Sequence, residues 1–524
     1  MRLTNYGRIA RGGFFLVILT LLAACQRLDQ PAQLGAPPTL RLVTSFRINN
    51  LAPTDPRSFF LPEFGVAELP MRVGADGRLK PWLLESLTPL DERRWRLVLR
   101  PNVTFQNGKP LTAAALAAAL NRQLQQSASA KAALPGAQAA VASEREVTLT
   151  TAQPDATVPN ALADELVFPI YDAAAVEAVG NDPARLVGSG CFTGPYQVTH
   201  LDEREMRMTR FDGYWQGAPP LAEVRLRFVS DPQSRVLAVQ NDEADVALYP
   251  PAEAKRILAG RSDAFFVTSR ESVGGPRILL NVRRAPFDEV AVRRAFSLGL
   301  DYHTLAAEVM EGVGDVATGF YPPVWSWAVP NLKADATAAR QLLDEAGWRL
   351  GVDGIRVKNN QPLEVTLLRY PQQPDFAALA TAIQAQLREV GFRVQIRQVE
   401  DINAAMKNQP DWHAAFNSPG LVTTGGAPEP FLRELLATGG ARNYGGVSDA
   451  ELNRLFSELG RTFEPQRRNE LLARIQQLVM VEQVYEVRPV FLRSRAVVGR
   501  RWRTYQPSPQ LQHVTFETRP DSGS

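Results

Sequence analysis

Short strand-forming runs alternate with helix-forming runs along this chain of 524 residues, and no other sequence feature constrains the fold as strongly. Apolar and polar side chains alternate, as in half-buried strands, at residues 40–44, 94–99 and 224–228. The spacing of apolar residues predicts helices at 111–125, 290–310, 334–346, 376–390 and 449–459. Polar residues that favour N-caps stand at Thr112, Asp288, Asp335 and Ser448. Strand, helix, strand is the repeating unit of an open α/β sheet, so we predict an α/β fold.

The length of the chain predicts more than one domain. About 500 residues remain after the N-terminal segment described next, and a single hydrophobic core stops growing at roughly 250–300 residues. We therefore expect two or three domains.

The N-terminal segment combines three arginines with a short apolar run from Phe14 to Ala24. That run is about half as long as the roughly 20 residues that a helix needs to cross a bilayer. A basic start, a short apolar centre and small residues at the end are typical of a signal peptide, which we place at residues 1–24. A short uncleaved anchor is the alternative.

The residues at the end of this segment resemble the lipobox of bacterial lipoproteins. In that family the chain is cut before the cysteine, so Leu22-Ala23-Ala24-Cys25 implies a lipidated Cys25. Residues 25–38 are polar and rich in proline and glycine, as in a flexible tether. The sequence thus predicts a periplasmic, membrane-anchored lipoprotein of the cell envelope. Gln26 leaves open whether the anchor is in the inner or the outer membrane.

Charge and cysteine content narrow the function further. Without residues 1–24 the chain holds 55 basic and 55 acidic residues, so it lacks the basic excess of nucleic-acid-binding proteins, and no nucleic-acid partner is expected. Cys191 is the second of two cysteines. If Cys25 carries lipid, Cys191 is expected to be a buried small hydrophobe. A Cys25–Cys191 disulfide is the alternative.

Motifs for catalysis or metal binding are absent from the sequence. The four histidines lie far apart and have no spacing typical of zinc ligands. There is neither a G-x-S-x-G elbow nor a P-loop. We predict no enzyme activity, no cofactor and no metal site, although a Ser–His–Asp group assembled in space stays open.

Two loops are candidates for ligand contact. Residues 318–330 hold Tyr321, Trp325 and Trp327 between stiffening prolines, and such aromatic side chains can line a cleft or cap a core. Residues 416–432 hold three glycines, three prolines and one acid, Glu429. Long loops inside compact domains are often functional. A buried Glu429 could pair with a ligand amine, whereas an exposed one would only be solvated.

Ordered blocks of the sequence resemble the bacterial solute-binding proteins of family 5, which serve peptide and nickel ABC transporters. Residues 79–116, LKPWLLESLTPLDERRWRLVLRPNVTFQNGKPLTAAAL, are similar to the family signature. Residues 193–245 contain its Gly-Pro-Tyr triplet and its Tyr-Trp pair, and residues 279–301 read LLNVRRAPFDEVAVRRAFSLGLD. DEAGWR and RNYGGVSDAELNRL complete the series.

This resemblance implies a bilobal periplasmic-binding-protein fold of the type II-like kind, with an extra inserted lobe and a ligand cleft between lobes. Lobe I would combine residues 39–65, 181–273 and 481–524. Lobe II would be inserted at 66–180, and lobe III would span 274–480. The lobes would close on the ligand by a hinge, and the closed monomer would dock on ABC permease subunits in the inner membrane.

The ligand implied by the resemblance is a peptide or a related small amine-bearing molecule. Glu429 is the acid nearest to the position of the peptide-binding aspartate of the family, although the accompanying tryptophan is missing. A nickel or metal-chelate ligand is the alternative, because GAPEPFL at 426–432 is similar to the nickel branch, without its histidine. His413 could replace that histidine only if it faces the cleft. The expected ligand-binding residues are Glu429, Trp325, Trp327, Tyr321, Phe46 and Arg47.

Two other classes of function stay open at this stage. An exported hydrolase with an unrecognised triad would turn its ligand over. A sensor or a folding helper for exported chains would bind without depending on a permease.

Overall fold

The computed structural model describes residues 38–521, apart from 56, 57, 59, 75, 166, 181, 410, 418–427, 510 and 511. The predicted signal peptide, Cys25 and the tether up to residue 37 lie outside the described residues, as does most of the 416–432 loop. Over the described part of the chain, none of the helices combines the length and apolar character needed to span a bilayer.

Strands from distant parts of the chain form the largest sheet, which has eight strands within the described residues. Its order along the main path is Ala264–Gly274, Phe491–Gly499, Val246–Leu248, Thr39–Thr44, Glu223–Phe228, Glu205–Arg210 and Tyr196–Leu201. Gly314–Asp315 adds a short pairing to Phe491–Gly499. Thr39–Thr44 runs parallel to both neighbours, and Leu40 and Leu42 are fully buried in the core of this sheet.

A second sheet comes from one continuous stretch of sequence. Among the described residues it has four strands, in the order Leu84–Pro89, Arg94–Leu99, Glu146–Thr150 and Gln138–Val141. Trp95, Leu97 and Leu99 are buried, whereas Arg94 and Arg96 are exposed and Val98 is only partly buried, which is the alternation read from the sequence. Met71–Val73 and Leu79–Pro81 form a separate hairpin nearby.

A third sheet contains five strands within the described part of the chain, in the order Arg393–Gln398, Glu364–Arg369, Ala414–Asn417, Arg277–Leu280 and Glu486–Val487. A small three-stranded sheet is formed by Arg349–Leu350, Arg356–Lys358 and Gln361–Pro362. The helix Phe376–Arg388 is buried along Leu379, Ile383 and Leu387, which belong to the same core as strand residues Val365 and Leu367.

Helices surround the sheets. Those N-terminal to residue 260 are Phe60–Glu63, Ala113–Gln126, Ala128–Ala133, Val158–Ala161, Ala173–Ala178, Pro183–Leu186, Pro232–Gln240 and Ala254–Ile257. Those after it are Val290–Leu298, Tyr302–Thr304, Ala336–Glu345, Phe376–Arg388, Ile402–Asn408, Pro428–Leu436, Ala450–Arg461 and Pro465–Gln477. Leu305–Val309 and Leu478–Glu482 are π-helical, and Arg500–Trp502 is a 3₁₀ turn.

The predicted α/β class is confirmed, and all three predicted strands are present as Thr39–Thr44, Arg94–Leu99 and Glu223–Phe228. The single helix predicted at 290–310 is wrong. Val290–Leu298 ends at Gly299, and Asp301 caps a new helical turn by accepting from the His303 and Thr304 amides. Cys191 is fully buried, as expected of a small hydrophobe, and burial raises the pKa of its thiol to about 12.

Candidate functional site

Two short chain segments connect the eight-stranded sheet to the five-stranded sheet. Strand Ala264–Gly274 continues through Gly275 and Pro276 into Arg277–Leu280, and Glu486–Val487 continues through residues 488–490 into Phe491–Gly499. The two connections touch, because a Cβ at Gly275 would lie 2.3 Å from the Val490 carbonyl oxygen. Glycine is therefore required for this close approach, and the two sheets are joined at a tightly packed double crossing.

The strand register brings four polar side chains to one face of the five-stranded sheet beside this crossing. Arg277 pairs with Asn417, and Leu279 pairs with Glu486. Side chains alternate along a strand and cross-strand partners share a face, so Arg277, Asn417 and Glu486 point the same way. Arg488 follows two residues after Glu486 and extends this face into the connection.

Arg277, Glu486 and Arg488 form a buried ionic group that we name the charged cluster. Arg277 Nη1 lies 2.9 Å from Glu486 Oε2, and Arg488 Nη2 lies 2.7 Å from Glu486 Oε1. All three side chains are 0% exposed. Arg488 Nη1 also donates to the Gly275 carbonyl at 3.3 Å, which links the two connections. Arg277 Nε lies 3.4 Å from Asn417 Oδ1.

Positive charges crowd Arg277. Burial lowers the pKa of its guanidinium below the usual value, and the charges of Arg488 and Arg442 lower it further, against the attraction of Glu486. Arg442 has an ion pair of its own, 2.7 Å from Glu434.

Three of the predicted ligand-binding residues lie together beside the charged cluster, in the segment 318–330 that we name the aromatic loop. The guanidinium carbon of Arg488 lies 4.5 Å from the centre of the Phe320 ring, which in turn contacts Tyr321. The ring centres of Tyr321 and Trp327 are 4.3 Å apart, and those of Trp327 and Trp325 are 5.4 Å apart.

Hydrogen bonds fix the aromatic loop to the helix Pro465–Gln477. Gln476 Nε2 donates to the Trp327 carbonyl at 2.8 Å, and its Oε1 accepts from the Val329 amide at 3.0 Å. Tyr321 is buried, its pKa is raised by that burial, and its hydroxyl has no hydrogen-bond partner among the described residues. The loop thus packs most of its aromatic rings into a hydrophobic core, and the Tyr321 hydroxyl is left without a partner among the described residues.

Glu429 lies in the helix Pro428–Leu436 and is 1% exposed. It forms an ion pair with Arg468, whose Nη1 also donates to the carbonyls of Leu459 and Thr462. The protein therefore supplies a counter-charge to this carboxylate. Binding of a ligand amine by Glu429 stays a prediction.

Phe46 and Arg47 lie at the end of the first strand, in another part of the molecule. Phe46 packs edge-on against Tyr249, with ring centres 5.2 Å apart, and joins the core of the eight-stranded sheet. Arg47 is half exposed and lies 3.5 Å from Glu203. Tyr321 and Trp325 belong to a different core, so these two groups of predicted residues are not brought into one cluster. The ligand contacts proposed for Phe46 and Arg47 stay predictions.

His413 lies at one end of strand Ala414–Asn417, and the charged cluster lies at the other end. Protein groups contact both ring nitrogens of His413. Its Nε2 lies 2.9 Å from Arg284 Nε, and its Nδ1 lies 3.0 Å from the Thr366 amide. Burial and Arg284 lower the pKa of the imidazole to about 4. Within the described residues, no group of three or more His, Cys, Asp or Glu side chains is arranged to hold a metal ion.

Sequence reasoning missed Arg277, Glu486 and Arg488. The available signal was a charged residue inside an otherwise apolar strand, in PRILLN at 276–281 and in VYEVRPV at 484–490. Charged side chains are almost never fully buried unless they are paired. An arginine in one strand and a Glu-x-Arg in another could therefore have been matched to each other.

Comparison with known families and proteins agrees with this architecture. Residues 78–443 match the family model described as bacterial extracellular solute-binding proteins, family 5 Middle. The nickel-binding protein NikA of Staphylococcus aureus is 24% identical over 413 residues, which are 78% of this chain and 80% of that protein. The glutathione-binding protein GsiB of Salmonella typhi is 28% identical over 354 residues, 66% of this chain and 64% of that protein.

Solved structures share the fold. NikA of Staphylococcus aureus in complex with Ni(L-His)2 superposes with a TM-score of 0.79 at 20% identity, and covers 92% of this chain and 99% of its own. The oligopeptide-binding protein AppA of Bacillus subtilis, in complex with a nonapeptide, gives a TM-score of 0.74 at 20% identity, with 91% and 97% covered.

Proposed function

The chain belongs to the bacterial extracellular solute-binding proteins of family 5, and from this premise we propose that it captures a peptide or a related small amine-bearing ligand for an ABC importer. Members of the family are extracytoplasmic substrate-binding components of transporters. The ligand would be held in a cleft between lobes and delivered to a membrane permease. The proposed function does not include chemical conversion of the ligand.

The observation that carries the proposal is the double crossing, with the charged cluster and the aromatic loop beside it. Two adjacent connections allow two lobes to rotate about one line, as in the hinge closure of periplasmic binding proteins. The charged cluster and the aromatic loop lie beside that line, where a ligand would contact both lobes. Closure requires a ligand that binds the closed form better than the open form.

The proposed lobes follow the sheets. Lobe I, from residues 39–65, 181–273 and 481–524, would contain most strands of the eight-stranded sheet. Lobe II, residues 66–180, would contain the four-stranded sheet, and lobe III, residues 274–480, most of the five-stranded sheet. The N-terminal sequence supports a lipid anchor on Cys25. A monomer is proposed as the functional form.

A metal chelate is the second candidate ligand, because a nickel-binding protein is similar over 78% of this chain. The described residues offer no ready group of metal ligands, and His413 is engaged by protein donors. A metal would therefore need to arrive with its own organic ligands.

Native mass spectrometry of the protein purified from a periplasm tests the proposal. Additional masses matching short peptides are expected, whereas one mass with a nickel isotope pattern would favour the chelate. Small-angle X-ray scattering with and without the released ligand should show a more compact particle when the ligand is bound. Release of a chemically altered ligand would contradict a binding function and support a hydrolase.

A further inference from the structure

Lobe II contacts lobe III across the proposed cleft. Residues 66–180 continue into lobe I at both ends, so lobe II meets lobe III through non-covalent contacts. The Ala156 amide of lobe II donates to the Gly460 carbonyl of lobe III at 2.8 Å. Beside this hydrogen bond the Trp95 ring of lobe II stacks on the Phe463 ring of lobe III, with ring centres 6.1 Å apart. We name this pair of interactions the Phe463 contact.

A second contact, which we name the Val73 contact, joins the hairpin of lobe II to the aromatic loop of lobe III. Val73 is buried in the same hydrophobic core as Phe320 and Trp325. A Cβ on Gly77, in the turn of that hairpin, would lie 3.4 Å from the Trp325 ring. In the opposite direction, Phe463 packs against the core of lobe II. Each lobe thus places an apolar side chain against the core of the other.

The boundary between lobes I and II is built differently. Gln106 of lobe II is buried, and its Nε2 donates to the carbonyls of Gly194 and Tyr196 in lobe I at 3.0 and 2.9 Å. The Asn107 amide donates to the Gly190 carbonyl at 2.8 Å. Separation of these lobes would leave buried polar groups without partners, which is costly. Lobes I and II are therefore expected to move as one body, and opening of the cleft separates lobe II from lobe III.

On the basis of the proposed function, we propose that the Phe463 contact and the Val73 contact together form a latch that holds lobe III closed against the inserted lobe. The double crossing allows the rotation, and the latch stabilises its closed end point. Interfaces between domains of one chain separate readily unless they are large and hydrophobic. A backbone hydrogen bond and a few apolar side chains form a small interface, so a ligand that contacts both halves can shift the equilibrium to the closed form.

Hydrogen exchange at two adjacent amides of the ligand-free full chain tests the latch. The Ala156 amide has its acceptor on lobe III, whereas the Asp155 amide donates to the Glu92 carbonyl within lobe II at 3.0 Å. Opening of the latch therefore removes the acceptor of Ala156 and leaves Asp155 protected. Relative to intrinsic rates, we expect Ala156 to exchange at least about tenfold faster than Asp155. Equal rates at the two amides would overturn the latch, because they would show an interface that opens only with the fold.

Variants in the two contacts separate a latch from local loosening. Phe463→Ala and Val73→Ala should each raise exchange at Ala156 by about twofold to tenfold and leave Asp155 unchanged, because both contacts break when the lobes part. A response of Ala156 to Phe463→Ala alone would show local fraying and overturn the proposal. Equal increases at Ala156 and Asp155 would overturn it as well, since the contacts would then stabilise the fold and not the closed form.

Tyr444→Ala is the matched control, because it removes a partly buried aromatic ring that packs within lobe III. Exchange at Ala156 should not change in this variant.

The same assay separates the latch from the proposed ligand. A tryptic casein digest added to the wild type should slow exchange at Ala156, because a bound peptide favours the closed form. If the digest leaves Ala156 unchanged, the proposed peptide ligand fails, and the comparison of variants still decides the latch.

Discussion

Glu68 is a buried carboxyl whose protonation links the stability of the fold to pH. Its side chain is 0% exposed and accepts hydrogen bonds from the Tyr214 hydroxyl at 2.6 Å and from Trp215 Nε1 at 3.1 Å. Burial outweighs these donors and raises its pKa from 4.5 to about 7. Between about pH 4.5 and pH 7, the folded protein therefore holds a proton on Glu68 that the unfolded chain releases.

Stability contributed by this proton is complete below about pH 4.5 and is lost as the pH rises through about 7. Glu68→Gln keeps the accepting oxygen but cannot ionise. The unfolding free energy of the variant, relative to the wild type, should therefore increase by on the order of 3 kcal/mol between pH 4.5 and 8. Urea titrations across this range measure the difference. Parallel curves for wild type and variant would contradict the assignment, and exposed Glu243→Gln serves as the control.

Single residues were predicted from the sequence with uneven success. Thr112 and Asp335 cap helices as expected, whereas Asp288 and Ser448 do not; their C-terminal neighbours, Glu289 and Asp449, occupy the cap positions. Which of two adjacent polar residues becomes the N-cap depends on the backbone geometry, and the local sequence pattern does not determine that geometry. The aromatic loop could be found from composition. The charges of the charged cluster stand out in two apolar strands, but its geometry depends on which strands pair, and that is not visible in the local sequence.

At the scale of elements, the strands and helices with a clear period were predicted within a few residues, apart from the helix at 290–310, because periodicity is a local property. The order of strands in the sheets depends on contacts between distant segments, and only the family resemblance gave any indication of it. The connections between sheets are the elements whose geometry matters most for the proposed hinge. Gly275 is the critical residue there, since a side chain would meet the opposite connection.

Gly275→Ala should force the two connections apart. The added Cβ would lie 2.3 Å from the Val490 carbonyl oxygen and 3.0 Å from the Phe491 Cα, both backbone atoms. We expect a loss of about 1–3 kcal/mol in unfolding free energy, which urea denaturation measures. The control is Gly499→Ala, whose nearest neighbour would be 3.6 Å away. Equal effects of the two substitutions would show that the crossing tolerates separation.

At the scale of the whole molecule, the sheets differ in how much of the chain must be present before all their strands are in place. The four-stranded sheet is complete within residues 84–150, whereas the eight-stranded sheet requires Phe491–Gly499 between Ala264–Gly274 and Val246–Leu248.

A chain ending at residue 480 should therefore lose one sheet and keep another. Hydrogen exchange is expected to be fast in Ala264–Gly274 and Val246–Leu248 of the truncated chain, because their shared partner strand is missing. Amides in Arg94–Leu99 should stay protected by Glu146–Thr150 and serve as the internal reference. Uniform loss of protection would mean that the sheets unfold as one cooperative unit.

The late position of Phe491–Gly499 also sets the order of events during biosynthesis. Strand Thr39–Thr44 is made first, but the sheet around it cannot be completed until residue 499 has left the ribosome. While the C-terminal part is still being synthesised, the chain lacks an interior strand of its largest sheet. The eight-stranded sheet, which contains the first long strand and the last one, is therefore completed late, whereas all strands of the four-stranded sheet are already present at residue 150.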